Sequence, residues 1–381
     1  MTEKILCVTN DFGPRTGGIE TFVMGLIERL SPGSVIVYTS GQGDTREYDQ
    51  RWLDQFGVRV IRDQSKILLP TPRVSRAIKK VITTENLQVI FFGAAAPLAI
   101  MAGGFRKVGV QKIVALTHGH EVWWAKLWPF NWAIRYIGAS VDHLTYLGDF
   151  TRHEISRALT SKASAAMVKI APGIDTDHFA PQASAEQLRA CLGLTDKKVI
   201  VSVGRLVHRK GQDSLIAALP EILQSHPSAH ILLVGEGPYR KHLEKMVADL
   251  MVDDAITFIG RIQHADLPRY ICVGDIFAMP SRSRLAGLEV EGLGIVYLEA
   301  SACELPVIAG ISGGAPDAVL EGETGICVDG TNPSEIASAV ISLLDDPLRA
   351  SAMGKCGREW IYSNWRWEIW ARNFIELLKL N

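Results

Sequence analysis

Short apolar runs alternate with longer amphipathic stretches along most of the chain. In the first part, apolar runs predict strands at residues 5–9, 35–39, 58–61, 89–92, 113–116, 143–146 and 167–170. In the second part, they predict strands at residues 199–203, 231–234, 256–259, 276–279, 306–308 and 326–328. Amphipathic helices are predicted between them, for example at residues 20–30, 97–105, 212–223, 239–250, 267–272, 295–302 and 333–344. This alternation is typical of parallel sheets with crossover helices.

The alternation pauses once, at residues 171–184, where APGIDTDHFAPQAS has no hydrophobic periodicity. We interpret this segment as a linker between two α/β domains, an arrangement that suits a chain of 381 residues. The predicted domains are residues 1–172 and residues 173–362, with a helix over 363–381 that packs back on the first. Two Rossmann-like domains of this kind are expected to face each other across a cleft, with ligands at the carboxyl ends of the strands.

Composition and charge limit the class of protein. The chain is 47% apolar and 21% charged, and it opens on a strand pattern rather than on a signal peptide. It has no uncharged apolar stretch of about 18 residues, so we expect no transmembrane helix. Residues 1–178 hold 21 Lys and Arg against 16 Asp and Glu, and the rest holds 19 against 25. The small basic excess and the absence of a recognition motif argue against nucleic acid.

Two loops that each connect a strand to a helix suggest contacts to an anion. Gly17 and Gly18 follow the first strand, where glycines allow a ligand to approach the backbone at a helix N-terminus. Arg205 and Lys210 hold the same position in the second domain and would neutralise a diphosphate. An ordinary turn explains Gly17 and Gly18 equally well. For Arg205 and Lys210, spacing alone favours a solvated basic loop that also includes His208 and Arg209.

The segment RSRLAGLEVEGLGIVYLEASACELPVIA is the most informative. Glu291 and Glu299 lie eight residues apart, on either side of a Gly-Leu-Gly loop that opens a helix near Ile295. Free amides at that start would hold a phosphate, Glu299 would accept hydrogen bonds from ribose hydroxyls, and Glu291 would bind hydroxyls of a sugar. Two surface glutamates are the alternative, but the apolar neighbours of Glu299 disfavour it because a carboxylate in such surroundings needs a partner.

These motifs together resemble the retaining glycosyltransferases of family 4, which have the GT-B fold. The resemblance covers nearly the whole chain and also includes the GGIE loop, THGHE at residues 117–121, APGID, LLVGEGP and FIGRI. More narrowly, SRSRLAGLEVEGLGIVYLEA is similar to the PimB-type group, mannosyltransferases that extend phosphatidylinositol monomannoside.

The resemblance implies a role for each matching residue. Arg205 and Lys210 bind the phosphates of the donor, Gly17 or Gly18 contributes backbone contacts, and His118 approaches the sugar. The remaining donor contacts are implied for Ile262 at the purine, Glu299 at the ribose, Glu291 at the sugar, and the amides of Leu293, Gly294 and Ile295. The catalytic residues implied are His118, Arg205, Lys210 and Glu291. Many members have Phe where Leu293 stands, a change that a backbone role tolerates.

No cofactor or metal is expected. Asp175-Thr176-Asp177 matches the D-x-D pattern that binds metals in other glycosyltransferases, but here it lies in the predicted linker. The resemblance implies metal-free chemistry, in which Arg205 and Lys210 stabilise the leaving group.

A lipid acceptor is suggested by two segments of the first domain. One carries Trp123, Trp124, Trp128 and Trp132 with Lys126 and Arg135, and the other carries Arg73, Arg76, Lys79 and Lys80 at helical spacing. Tryptophan beside basic residues suits the surface of an anionic membrane. Core packing of the tryptophans and an ordinary solvated basic face are the alternatives.

The predicted function is therefore transfer of mannose from GDP-mannose to a phosphatidylinositol mannoside, with retained configuration. The enzyme is expected in the cytoplasm, peripherally bound to the inner face of the plasma membrane. One alternative is a UDP-sugar-dependent glycosyltransferase that acts on a soluble acceptor. Others are a nucleotide-sugar epimerase of the same fold, which needs no acceptor, and a sensor without enzymatic activity.

Overall fold

The computed structural model describes residues 4–15 and 17–380. The chain divides into two compact units: unit 1 comprises residues 1–173 and 367–381, and unit 2 comprises residues 174–366. The sequence analysis placed the corresponding divisions after residues 172 and 362. Residues 1–3 and 381, the outer ends of the predicted domains, lie outside the described residues.

Unit 1 contains a parallel sheet of seven strands in the order β3-β2-β1-β4-β5-β6-β7. The strands are β1 Ile5–Thr9, β2 Val35–Thr39, β3 Arg59–Arg62, β4 Val89–Phe92, β5 Lys112–Ala115, β6 His143–Tyr146 and β7 Val168–Lys169. The helices are α1 Gly18–Ile27, α2 Arg46–Phe56, α3 Pro72–Glu85, α4 Ala102–Arg106, α5 Glu121–Lys126, α6 Phe130–Ser140, α7 Asp149–Ser156 and α8 Ser161–Ala165. β2, β4 and β5 are fully buried and mostly apolar, as expected for a sheet that is covered on both faces.

Unit 2 repeats this plan with a parallel sheet of six strands in the order β10-β9-β8-β11-β12-β13. The strands are β8 Lys198–Val203, β9 Ala229–Val234, β10 Ile256–Gly260, β11 Ile276–Met279, β12 Val307–Gly310 and β13 Gly325–Val328. The helices are α9 Ser184–Cys191, α10 Gln212–Ser225, α11 Arg240–Leu250, α12 Leu267–Ile271, α13 Ile295–Ala302, α14 Pro333–Asp345 and α15 Pro347–Asn364. Both sheets therefore have the doubly wound α/β arrangement that the alternating pattern predicts.

Local signals explain where several helices begin. Thr71, Asn332 and Asp346 are N-cap residues whose side chains accept a backbone N–H three positions later. In each case proline occupies the next position, where its missing N–H costs nothing. All the predicted strands are present with ends that differ by at most two residues.

The last helix of the chain corrects one prediction. α15 extends through Asn364, so the predicted helix over 363–381 is wrong at its start. Trp365 and Arg366 separate the two helices, and α16 runs over Trp367–Leu378. The backbone of Trp365 is no longer helical, and the next residue, Arg366, pairs with Ile174 in an isolated β-bridge. α15 therefore ends at Asn364.

α16 belongs to unit 1 although residues 174–366 separate it from the rest of that unit. The Trp367 ring lies so close to Gly25 of α1 that a Cβ there would come within 2.5 Å of it. On the same helix, Phe374 is fully buried and meets the Phe91 ring edge-on at 5.2 Å. α16 is thus part of the core of unit 1. Within the described residues, no helix is both long and apolar enough to cross a bilayer.

Candidate active site

The strand order changes direction at the same place in each sheet, between β1 and β4 in unit 1 and between β8 and β11 in unit 2. Loops that leave the carboxyl ends of such strands diverge and leave a crevice for a ligand. Most of the residues predicted from the sequence to contact the donor follow one of these strands or a neighbour.

In unit 1, the loop after β1 leads into α1. Gly17 is the N-cap of α1, and Gly18 is its first residue. A Cβ at Gly18 would meet no atom within 4 Å, so the fold itself leaves this space open. The carboxylate of Glu20, in the first turn of α1, reaches back over Gly17. The open space at Gly18 and the positive end of the helix suit an anionic ligand, which would have to displace the Glu20 carboxylate.

His118 follows β5 and lies beside the loop after β4. Its Nε2 atom is 2.5 Å from the carbonyl oxygen of Gly93, and its ring meets the Phe22 ring edge-on at 5.5 Å. Its backbone N–H donates to Glu121 Oε2 at 2.9 Å. Burial lowers the pKa of His118, so the neutral ring is favoured near pH 7. A neutral imidazole fixed by a carbonyl suits a hydrogen-bonding role towards a sugar.

Two carboxylates that the sequence analysis did not single out lie in this part of unit 1. Glu121 is fully buried at the start of α5, and its Oε1 atom is 3.2 Å from His120 Nε2. Asp11 lies two residues beyond β1, and burial, with the charge of Glu20 as the second cause, raises its pKa to about 6. The position of Asp11 at the end of the central strand was the signal available in the sequence.

In unit 2, Glu291 is held by two cations from the loop after β8. Its Oε2 atom lies 2.8 Å from Lys210 Nζ and 2.5 Å from a guanidinium nitrogen of Arg209. Burial would raise the pKa of Glu291, but Lys210 and Arg209 outweigh it and hold the pKa below its usual value. We call Arg209, Lys210 and Glu291 the charged cluster.

The cations of this loop differ in their surroundings. Lys210 is buried, whereas Arg205 is exposed and forms no ion pair among the described residues. Arg209, which the sequence analysis named only within the alternative of a solvated loop, is part of the cluster. The predicted phosphate role of Arg205 remains a prediction.

A second network, which the sequence analysis missed, positions this loop. Arg282 is buried after β11, and it contacts Asp213 Oδ2 at 2.5 Å and Ser214 Oγ at 2.7 Å. Its backbone N–H donates to the carbonyl oxygen of Arg209 at 2.8 Å. Arg282 thereby ties the loop after β11 to the start of α10 and fixes the backbone of the charged cluster.

Next to the cluster, α13 begins with unpaired amides. Gly294 caps the helix with φ +77°, a left-handed conformation that favours glycine. In the described part of the chain, the N–H groups of Leu293, Gly294, Ile295 and Val296 donate to no backbone or side-chain acceptor. These amides and the positive end of the helix dipole would attract a phosphate.

Glu299 lies on α13, further from its start, and is almost completely buried. Its Oε2 atom has no hydrogen-bond partner in the structure, and its Oε1 atom is 4.0 Å from His264 Nε2. Burial raises the pKa of Glu299 to about 7, and Lys210 opposes that rise only in part. A buried carboxylate without a donor is a site that a ligand's hydroxyl groups would satisfy.

Two further predictions concern loops of unit 2. Ile262 lies two residues beyond the end of β10 and is half-buried, so its backbone role towards a purine remains a prediction. Asp175 accepts hydrogen bonds from the backbone N–H groups of Asp177 and His178 at 3.1 and 3.0 Å. Its carboxylate therefore shapes a local turn. Over residues 4–15 and 17–380, no three His, Cys, Asp or Glu side chains are grouped to hold a metal ion.

Comparison with known proteins places the chain in a family. A model of family 4 glycosyltransferases matches residues 16–178, and a model of group 1 glycosyl transferases matches residues 184–360. The chain is 44% identical to the GDP-mannose-dependent alpha-(1-6)-phosphatidylinositol monomannoside mannosyltransferase of Mycolicibacterium smegmatis, over 98% of both chains. It is 40% identical to the enzyme from Corynebacterium glutamicum whose name specifies a monoacylated acceptor, over 99% of this chain and 98% of that one.

A solved structure shows the same fold. Anabaena HepE, crystallised in complex with UDP, superposes with a TM-score of 0.83 at 19% identity, over 98% of this chain and 99% of that one. The predicted family and GT-B fold are therefore confirmed, and the enzyme class excludes the predicted alternatives of an epimerase and a sensor. The chain belongs to glycosyltransferase family 4 and is a glycosyltransferase of GT-B fold, related to the PimB-type mannosyltransferases.

Proposed function

We propose that this enzyme transfers mannose from GDP-mannose to a phosphatidylinositol mannoside, with retained configuration and without a metal ion. The activities named for relatives that align over nearly the whole chain support the donor and the acceptor. A lipid acceptor also implies action at a membrane surface. We place that action at the inner face of the plasma membrane, with the protein bound peripherally.

The observation that carries this proposal is the combination of the charged cluster with the start of α13. Lys210 and Arg209 supply positive charge, the amides from Leu293 to Val296 supply unpaired donors, and Glu299 supplies a buried acceptor. A nucleotide sugar offers the complementary groups, which are a diphosphate and the hydroxyls of ribose and mannose.

The proposed chemistry breaks the bond between the anomeric carbon and the diphosphate oxygen and forms a bond to an acceptor hydroxyl on the same face. The acceptor proton passes to the departing phosphate oxygen, so GDP leaves with it. Arg205 and Lys210 stabilise the charge on the leaving group. Glu291 is unsuited to act as a nucleophile because two cations already neutralise it and hold its pKa low. We therefore assign it to binding the hydroxyls of the transferred sugar, and His118 to contacting the same sugar.

The test is transfer by the purified protein in EDTA, with GDP-mannose compared with UDP-sugars, in the presence and absence of phosphatidylinositol monomannoside. A mannosylated lipid that forms only from GDP-mannose supports the donor, the acceptor and the metal-free chemistry, and NMR of its anomeric proton reports the configuration. Turnover of a UDP-sugar without a lipid product would overturn the substrate assignment. Activity that appears only when a divalent metal is restored would overturn the metal-free mechanism.

Two substitutions test the role of the cations. K210A and R205A are each expected to lower kcat about 100-fold or more, because each removes a charge that stabilises the leaving group. K245A removes an exposed lysine of α11 and serves as the control. Circular dichroism would show whether K210A still folds, since Lys210 is buried, whereas R205A changes an exposed residue. Activity of R205A equal to that of the K245A control would refute the role of Arg205.

A further inference from the structure

The loop that joins α5 to α6 and the first two turns of α6 present aromatic side chains to solvent. Trp128 is 77% exposed and Trp132 is 72% exposed, and each makes no ring contact among the described residues. The other exposed apolar side chains of this segment are Leu127, Phe130 and Tyr136. We call these five residues the aromatic anchor. A contiguous apolar surface of this kind marks a site of interaction, whereas single exposed apolar residues need no explanation.

The base of the loop is well packed. The rings of Trp123, Trp124 and Phe130 lie 5.0 to 5.3 Å apart, and Trp124 packs against the core of unit 1. Lys126 Nζ also contacts Glu154 of α7 at 3.1 Å. Trp123 and Trp124 are thus structural, as the core-packing alternative predicts, but Trp128 and Trp132 are not. A rigid base that projects two unpacked indole rings suits insertion of those rings into a lipid layer.

The segment that carries the anchor has no acidic residue of its own. Residues 122–141 contain Arg135 and Lys126, the latter paired with Glu154, and no Asp or Glu. α4 lies between this segment and α3. A Cβ built on Gly103 of α4 would lie 3.3 Å from the hydroxyl of Tyr136 on α6. A Cβ built on the next residue, Gly104, would lie 3.4 Å from Nζ of Lys79 on α3. The anchor and the basic face of α3 therefore flank the same short helix.

α3 completes a charged surface beside the anchor. Its apolar side, which includes Val74 and Ile78, is buried, whereas Arg76 and Lys80 are exposed one turn apart. Glu85, the acid of α3, is paired with Lys4 and Arg59. The exposed side of α3 thus carries uncompensated positive charge that complements anionic phosphates.

We propose that the aromatic anchor inserts into the interfacial layer of an anionic phospholipid bilayer while Arg76 and Lys80 meet the lipid phosphates. Indole rings prefer that layer because their body is apolar and their N–H seeks water or head groups. The inference rests on the proposed function, which requires a lipid acceptor. Glu121, which accepts a hydrogen bond from the His118 backbone N–H, is the first residue of α5, and the anchor begins just after its last residue. The six residues of α5 span about 9 Å along the helix axis, which is the distance between the two. The anchor thus places the membrane close to the sugar-binding end of unit 1.

The test is co-sedimentation with vesicles of phosphatidylcholine alone or mixed in equal parts with phosphatidylglycerol. W128A/W132A is expected to weaken binding to the mixed vesicles by about tenfold for each indole removed. R76E/K80E is expected to weaken it to a similar extent and to remove the preference for the anionic lipid. The control is M251A/L348A, because Met251 and Leu348 are 88% and 84% exposed but isolated in unit 2. The control should bind as the unchanged protein does.

A second readout separates this inference from the proposed function. Transfer to acceptor dispersed in detergent is expected to be unchanged in W128A/W132A, while transfer to acceptor in vesicles falls with binding. Vesicle binding by W128A/W132A equal to that of the control would overturn the anchor, as would absence of vesicle binding by the unchanged protein. Failure of transfer in detergent by the unchanged protein would instead overturn the proposed function.

Discussion

Replacing Glu299 with glutamine is expected to stabilise the ligand-free protein at high pH and to weaken donor binding. The reason is that the Glu299 carboxylate is buried, and one of its oxygens has no hydrogen-bond partner. His264, 4.0 Å away, compensates little because burial lowers its own pKa and favours the neutral ring. The glutamine side chain has nearly the same shape but carries no charge, so it avoids this cost.

The size and the sign of the effect follow from the pKa. In the unfolded chain Glu299 ionises near its ordinary value of 4.5, whereas in the fold its pKa is about 7. Between these values the folded chain retains a proton that the unfolded chain has lost, so stability falls as the pH rises from 4.5 to 7. At about 1.4 kcal/mol for each pH unit, the full penalty above pH 7 is about 3 kcal/mol.

The assay is thermal unfolding of the unchanged protein and of E299Q at pH 5 and pH 8. At pH 8, E299Q is expected to raise the unfolding temperature of unit 2 by about 5 °C or more, and at pH 5 the difference should nearly vanish. E221Q, which alters an exposed glutamate of α10, should show no such dependence on pH. An E299Q protein that is no more stable than the unchanged one at pH 8 would refute the reasoning. A rise in KM for the donor would show that the carboxylate is retained for binding.

Two further substitutions separate binding from folding. E291Q is expected to destabilise the ligand-free enzyme by about 3 kcal/mol in urea unfolding, because it leaves the buried Lys210 and the half-buried Arg209 beside a neutral group; an unchanged midpoint would contradict the charged cluster. G18A is expected to leave the unfolding midpoint nearly unchanged, since a Cβ there meets nothing, but to raise KM for the donor severalfold. An unchanged KM would show that the open space at Gly18 is not used by the donor.

The strands were the most predictable part of the fold. Parallel strands that are buried on both faces are short apolar runs, and β1, β2, β4, β6 and β11 have the predicted ends. The short helix α8 was harder, because five residues are too few to show a helical period, whereas the equally short α12 was predicted at residues 267–272. α15 was missed because its apolar positions form only a weak stripe.

The candidate site was predictable where its residues are close in sequence. Glu291, the glycine loop and Glu299 lie within one segment, so their spacing alone suggested a phosphate and hydroxyl site. Arg209 could not be separated from its basic neighbours, because its partner is 82 positions away in the sequence. Arg282 was missed for the same reason, since its contact with Asp213 spans 69 positions.

The four tryptophans of the α5–α6 segment show a further limit of sequence analysis. Their spacing fits both core packing and a surface role, and the structure assigns two of them to each. Trp123 and Trp124 pack with Phe130, whereas Trp128 and Trp132 face solvent. Which side of a short helix is covered depends on its neighbours, and the sequence does not reveal that arrangement.

The position of α16 within unit 1 has a consequence for protein synthesis. Domains generally fold in the order in which the ribosome releases them. Here the core around Gly25 and Phe91 stays open until Trp367 and Phe374 have been translated, after all of unit 2. Unit 2 is thus the first unit that a growing chain can complete, and the earlier-made half must wait with apolar surface exposed. A fragment of residues 1–173 would keep that surface, whereas joining residues 367–378 to it would restore the missing side of the core.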